Sequence, residues 1–161
     1  MTDHPTTLPA HARVWVYAAD RALNDEEAKS TVDAAGAFVA GWAAHGNQLL
    51  AEARLLHQRF LIIVVDEQQA GASGCSIDAS VHFVKSLGTQ LGVDFFNRMV
   101  FHYRNASGDI VTLPRAEFKQ AYGEGLITGS TFVFDPLVKT LGELADGFEK
   151  PLAESWHRRM V

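Results

Sequence analysis

The stretch of this chain richest in reactive side chains runs Gly71-Ala72-Ser73-Gly74-Cys75-Ser76-Ile77-Asp78-Ala79-Ser80-Val81-His82. Its small residues let main-chain amides come close to a ligand, and a helix start favours an anion. Ser73, Gly74, Cys75, Ser76 and Asp78 are therefore the expected contacts for a small anionic ligand. Cys75 is the single cysteine, and at a helix N-terminus its thiolate is stabilised. Asp78 and His82 stand four residues apart and share one helical face. A thiolate served by an imidazole base is a nucleophilic pair, so Cys75 and His82 are the candidate catalytic residues for acyl transfer or redox chemistry. Seven residues of helix separate them by roughly 10 Å, so His45, His102 and His157 compete for the role of base. The plainer readings are a cysteine packed as a small hydrophobe, Asp78 or Ser76 as a helix cap, and His82 in solvent.

The C-terminal run Glu154-Ser155-Trp156-His157-Arg158-Arg159 is the second place with chemistry. Trp156 and His157 are expected to fold back and close a pocket; the alternative is a frayed end docked by its tryptophan. No metal site is expected. The seven histidines (4, 11, 45, 57, 82, 102, 157) are scattered, and there is no His-Glu-x-x-His and no second cysteine. A phosphate loop is excluded by inspection, because no Gly-Lys pair occurs and the residue five after Gly71 is Ser76. Gly36 and Gly41 have the glycine spacing, but Trp42 follows them. The residues do not identify a cofactor.

These groups must be placed by a framework, and its punctuation is readable. Residues 1–12 read as a loose arm, and Arg13 to Ala18 as a short strand. Asn24 caps a helix whose first turn holds Asp25, Glu26 and Glu27. Its stripe is Ala28, Val32, Ala35, Val39 and Trp42, and it is expected to end at His45-Gly46. Residues 48–57 and 60–66 read as an antiparallel hairpin turning near Gln58. A helix is expected from about Asp78 to Leu91, ended by Gly92. Strands at 99–104 and 110–113 follow, joined by Asn105-Ala106-Ser107-Gly108. A short helix at 115–122, a strand at 131–134 and a helix from Asp135-Pro136 to Gly147 complete the order. Strand, helix, strand, strand, helix, strand is the pattern of a ferredoxin-like sandwich. The expected fold is α+β: a ferredoxin-like (βαββαβ) core over one domain, 13–161, with a C-terminal strand/helix extension.

Composition narrows the function classes. With 161 residues, 47% hydrophobic and 20% charged, the chain can build one core unaided. A net charge of −5 lacks the basic surplus of a nucleic-acid binder. Phe60 to Val65, the longest apolar run, is too short for membrane insertion. Met1 to Pro5 shows no secretory pattern, and a lone cysteine suits a reducing compartment, so a cytoplasmic location is expected.

The chain also resembles a small bacterial family of about this length that carries the label "ABC transporter ATPase". The matching stretches are Arg13-Val14-Trp15-Val16-Tyr17, Trp42-Ala43-Ala44-His45-Gly46, Arg59-Phe60, Ala72 to Phe83, and Glu154-Ser155-Trp156-His157. The Ser-Gly-Cys-Ser-Ile-Asp segment is the most specific of them. The resemblance supports the hairpin at 48–66 and transfers no catalytic residue. Three functions are thus expected in order. The first is a small-molecule or anion-binding domain using the 71–82 segment, with His45, Trp156 and His157 also in contact. The second is a cysteine-dependent enzyme. The third is a structural or assembly protein, homodimeric through an exposed sheet edge.

Overall fold

A computed structural model describes residues 8–68 and 71–161. Phe60-Leu61-Ile62-Ile63-Val64-Val65 has no polar face, so a strand made from it must be covered on both sides. It forms β5 (Phe60–Asp66), and none of these six side chains reaches solvent. β5 is the middle of an antiparallel sheet between β1 (Arg13–Ala18) and β4 (Leu50–Leu56). Leu61, Ile63 and Val65 face one hydrophobic core; Phe60, Ile62 and Val64 face another. Each buried side chain of this size contributes about 1.5–3 kcal/mol. The hairpin expected around Gln58 is present, with Leu55 opposite Leu61 and Leu56 opposite Phe60.

Helix α1 (Asp25–Ala40) covers the first core with Thr31, Ala35 and Val39. Asn24 and Glu27 close a reciprocal capping box: the Glu27 amide donates to Asn24 Oδ1 at 2.8 Å, and the Asn24 amide to Glu27 Oε1 at 2.9 Å. The helix stops at Gly41, five residues before the expected end. Gly46 does adopt a positive φ, but it does so beside His45 in a tight turn between β2 (Ala43–Ala44) and β3 (Asn47–Gln48). Such two-residue turns need the left-handed region at both positions, so a glycine fits this turn as well as it fits a helix end.

Helix α2 (Gly74–Leu91) starts four residues earlier than Asp78. Its cap is Ser73, whose Oγ accepts from the Ser76 amide at 3.1 Å. Trp42 Nε1 donates to the Ser76 carbonyl at 2.8 Å and ties this helix start to the end of α1. Gly92, with φ +70°, ends the helix as expected. Among the described residues, no helix is long and apolar enough to cross a membrane.

The second half forms a separate antiparallel sheet, β7-β6-β8-β9, from β6 (Val100–Arg104), β7 (Ile110–Pro114), β8 (Phe132–Phe134) and β9 (Glu149–Pro151). Helix α3 (Arg115–Gly123) packs Phe118 and Ala121 against Phe101, Tyr103 and Val133. The fold is thus mixed α+β. A ferredoxin-like sheet needs its fourth strand beside β1, and β6 instead pairs with β7 and β8. Among the described residues, the free edge of β1 is met only at its start, where the Val14 amide donates to the Lys139 carbonyl at 2.9 Å and Arg13 bridges to Thr140. That contact keeps residues 139–140 extended. The last helix therefore starts late, as α4 (Leu141–Gly147) capped by Thr140, not at Asp135-Pro136, and Leu137 is left 53% exposed. Residues 8–12 are not a loose arm: Leu8 and Ala12 are buried, and the Ala12 carbonyl accepts from Leu141. The rest of the expected arm, residues 1–7, lies outside the described residues.

Gly88 shows how tightly α2 is seated. A Cβ there would stand 2.7 Å from the Val93 carbonyl oxygen and 3.4 Å from the Phe95 ring. Gly88→Ala is expected to destabilise the fold by about 1–3 kcal/mol, the usual cost of overpacking. Urea unfolding reads this directly, and an unchanged midpoint would show that the 93–95 segment yields freely.

Candidate functional site

The structure separates the residues expected to act together. Gly74, Cys75, Asp78 and His82 are exposed along the first turns of α2, and His45 is exposed at the tip of the β2–β3 turn. Cys75 is therefore not a buried hydrophobe. Its thiol makes no hydrogen bond or ion pair among the described residues, so no imidazole is in place as its base. Ser76 is buried and bonded to Ser73, and the Ile77 amide donates to the Ser73 carbonyl. The donors at positions 76 and 77 are thus used within the helix start. Among the described residues, no cluster of three or more metal-ligating side chains occurs.

Trp156 and His157 lie elsewhere, in a short 3-10 helix (Trp156–Met160) packed against the second sheet. Both line a cleft of about 790 Å³ between the free edge of β1 and the second sheet. It occupies the side of β1 along which no strand of the described residues forms a ladder. Trp15, Tyr17, Phe95, Phe96 and Trp156 give it an aromatic wall. Its cations are Arg13, Arg98, Arg115 and Lys139, and no aspartate or glutamate among the described residues lines it. Arg13 is paired with Glu67 at 3.2 Å and lies over the Trp15 ring. Arg98, Arg115 and Lys139 form no ion pair among the described residues. A cation-lined concavity in a chain of net charge −5 concentrates anions locally.

Two histidines, His102 at 2% exposure and His157 at 1%, line the cleft from the core side. The β6–β7 register sets Thr112 opposite His102, and Thr112 Oγ1 lies 2.8 Å from His102 Nδ1. Arg59 Nη1 donates to the same hydroxyl oxygen at 2.6 Å. Arginine only donates, so Thr112 Oγ1 accepts from Arg59 while it also hydrogen-bonds His102 Nδ1. Ser155 Oγ lies 2.6 Å from His157 Nδ1 and also accepts from the His157 amide. His157 Nε2 is buried and has no partner among the described residues.

Burial pushes the His102 pKa down to about 4, helped by the positive charge of Arg59 and by the neighbouring His157. Burial also brings His157 to about 4, against the pull of Asp135. Both rings are neutral near pH 7. Burial alone would raise the Asp135 carboxyl, but Lys150, the Trp156 indole and the Leu137 amide bond it and hold it below its ordinary value. Asp135 thereby fixes Trp156, which stacks on His157 at 3.9 Å.

A second concavity of about 780 Å³ lies between α1, the β4–β5 turn and the β6–β7 turn. It is more open, and its wall mixes Lys29, Arg59 and Arg104 with Asp33 and Asp109, so it selects neither sign of charge. The cleft beside β1 is the better candidate. Compared with known proteins, the chain matches no family model, no curated protein and no solved structure.

Sequence reasoning singled out Trp156 and His157 and weighed His102 only as a base for Cys75. It missed Arg98, Arg115 and Lys139, which are far apart in the chain and meet only through the packing of two sheets. The Ser155-x-His157 spacing was the one readable sign of a hydroxyl-held imidazole.

The depressed histidines tie stability to pH. In the unfolded chain they titrate near 6.5, and in the fold near 4. Above pH 6.5 the rings are neutral in both states and their stabilisation is complete. As pH falls from 6.5 towards 4, only the unfolded chain takes up these protons, so stability drops by about 1.4 kcal/mol per pH unit for each ring. Urea midpoints at pH 7.5 and 5 should differ accordingly, and the paired substitution His102→Gln, His157→Gln should remove most of that difference. A double variant as pH-sensitive as the parent would assign the effect to other groups.

Proposed function

We propose that the protein is a small-molecule binding domain whose ligand is an organic anion with an apolar, aromatic-compatible body, held in the cleft beside β1. The observation that carries this reading is the lining itself, which among the described residues has three cations without an ion pair, an aromatic wall and no carboxylate. The volume of about 790 Å³ lies within the range of small-ligand pockets, roughly 300–1,000 Å³. The anionic ligand expected from the sequence is retained, with Trp156 and His157 in contact. From α2 only Val81 lines the cleft, so the 71–78 segment stands outside it. Kinship with the bacterial family that the Ser-Gly-Cys-Ser-Ile-Asp stretch resembles, and a reducing, cytoplasmic setting, belong to the same proposal. They are supported by that stretch and by the single cysteine.

Naphthoate is a suitable probe, with methylnaphthalene as its uncharged counterpart. Calorimetric titration should show naphthoate binding that weakens with salt, and much weaker binding of methylnaphthalene. Replacing Arg98 and Arg115 by Gln should cost about tenfold in naphthoate affinity, the scale of one lost charge-assisted hydrogen bond. Equal affinity for both probes, or no binding of either, would remove this function.

A further inference from the structure

We infer that the ligand of this cleft is a short N-acylated peptide with a free carboxylate and an aromatic side chain, which pairs with β1 as an added strand. This rests on the reading of the cleft as an organic-anion site and specifies the class of anion. All six residues of β1 line the cleft, neighbours included. Successive residues of a strand point to opposite faces, so a space that touches every one of them looks onto the strand's edge. The groups on that edge follow from the register. The Val14 amide donates outward to the Lys139 carbonyl, and the Ala19 amide donates to the Arg59 carbonyl beside β5. Bonding direction alternates along an antiparallel strand, so Val14, Val16 and Ala18 turn their main-chain groups away from β5. Among the described residues, no strand takes up the Val16 N–H, the Val16 C=O or the Ala18 N–H.

The length of the occupant is set at both ends. Residues 139–142 lie alongside 10–14, through the bonds from Val14 to Lys139, from Leu141 to Ala12 and from Gly142 to Ala10. Asp94 lies alongside Asp20: the Asp20 amide donates to the Asp94 carbonyl, and the Asp94 amide to Asp20 Oδ1. The open edge is thus positions 15–19, room for about three extended residues at roughly 3.4 Å each. An added strand gains affinity from main-chain bonds and selectivity from the pockets its side chains meet. Here the rings of Trp15, Tyr17, Phe96 and Trp156 receive an aromatic side chain. Arg98, Arg115 and Lys139 attract a carboxylate, and among the described residues no aspartate or glutamate of the lining receives an ammonium, so the amino end is acylated. A second copy of this chain fits badly. Two-fold pairing of β1 with itself sets the same cationic patch against its own copy.

The test uses the full chain and the peptide acetyl-Val-Val-Phe with a free carboxylate. Calorimetry should give it about tenfold higher affinity than naphthoate, because it adds main-chain bonds to the same charge and ring. Its carboxamide form and its non-acetylated form should each bind about tenfold more weakly than the parent peptide. N-methylation reads the strand directly. Alternate amides of an added strand face β1, so methylating the central amide and methylating the two outer ones should differ by about tenfold in affinity. With the peptide bound, the Val16 amide proton should move downfield and exchange more slowly with solvent. Val16→Pro removes that outward donor without touching the β5 ladder and should lower peptide affinity about tenfold. If the variant does not fold, the methylated peptides give the same reading on the unaltered chain. Equal losses from both methylation patterns, or a Val16 amide that exchanges as fast with peptide as without it, overturn the inference. So does a dimer, seen by sedimentation, that excludes the peptide. If naphthoate binds and the peptide binds no tighter, the edge assignment fails and the anion site stands. If neither binds, both fall together.

Discussion

Everything in this molecule is arranged around a strand that cannot touch water. β5 presents six consecutive apolar residues, so it must be covered on both faces and paired on both edges. β1 and β4 supply the edges. Helices α1 and α2 bury one face, while Phe134, Val138, Leu141, Leu144 and Phe148 from the C-terminal half bury the other. A fold of one sheet with helices on a single side would leave Phe60, Ile62 and Val64 exposed. The second sheet and α4 are the answer to that requirement, and the cleft is the space left where this second layer meets β1.

The polar groups around that space are also tightly constrained. His102 and His157 sit where water does not reach, so each must stay neutral and must find a partner for Nδ1. Thr112 and Ser155 provide those partners. Asp135 is kept ionised by Lys150, an indole and an amide, and its effect is to hold Trp156 rather than to face the cleft with negative charge. The lining therefore carries positive charge, aromatic surface and uncharged imidazoles, although the chain as a whole is acidic.

Local signals were readable and long-range ones were not. The Asn24–Glu27 box, the 57–60 hairpin turn and the Gly92 stop are determined by neighbours in sequence, and the structure contains all three. Gly41 and Gly46 are each able to end α1, and only the pairing of 43–44 with 47–48 chooses between them. Whether the strand after α2 joins β1 or starts a new sheet depends on which face of β5 needs cover, and no local pattern states that. At the site, Trp156 and His157 stood out as residue types. Thr112 opposite His102 is a matter of register, and Arg98, Arg115 and Lys139 converge only once both sheets are assembled.

Arg59 has one further consequence. Its guanidinium belongs to the wall of the open, mixed-charge concavity, yet it donates to the Thr112 hydroxyl, which also hydrogen-bonds a ring lining the cleft beside β1. Two hydrogen bonds thus join the linings of both concavities through one side chain. Removing the Thr112 hydroxyl would cut both bonds at once and leave a buried imidazole nitrogen and a guanidinium without that partner.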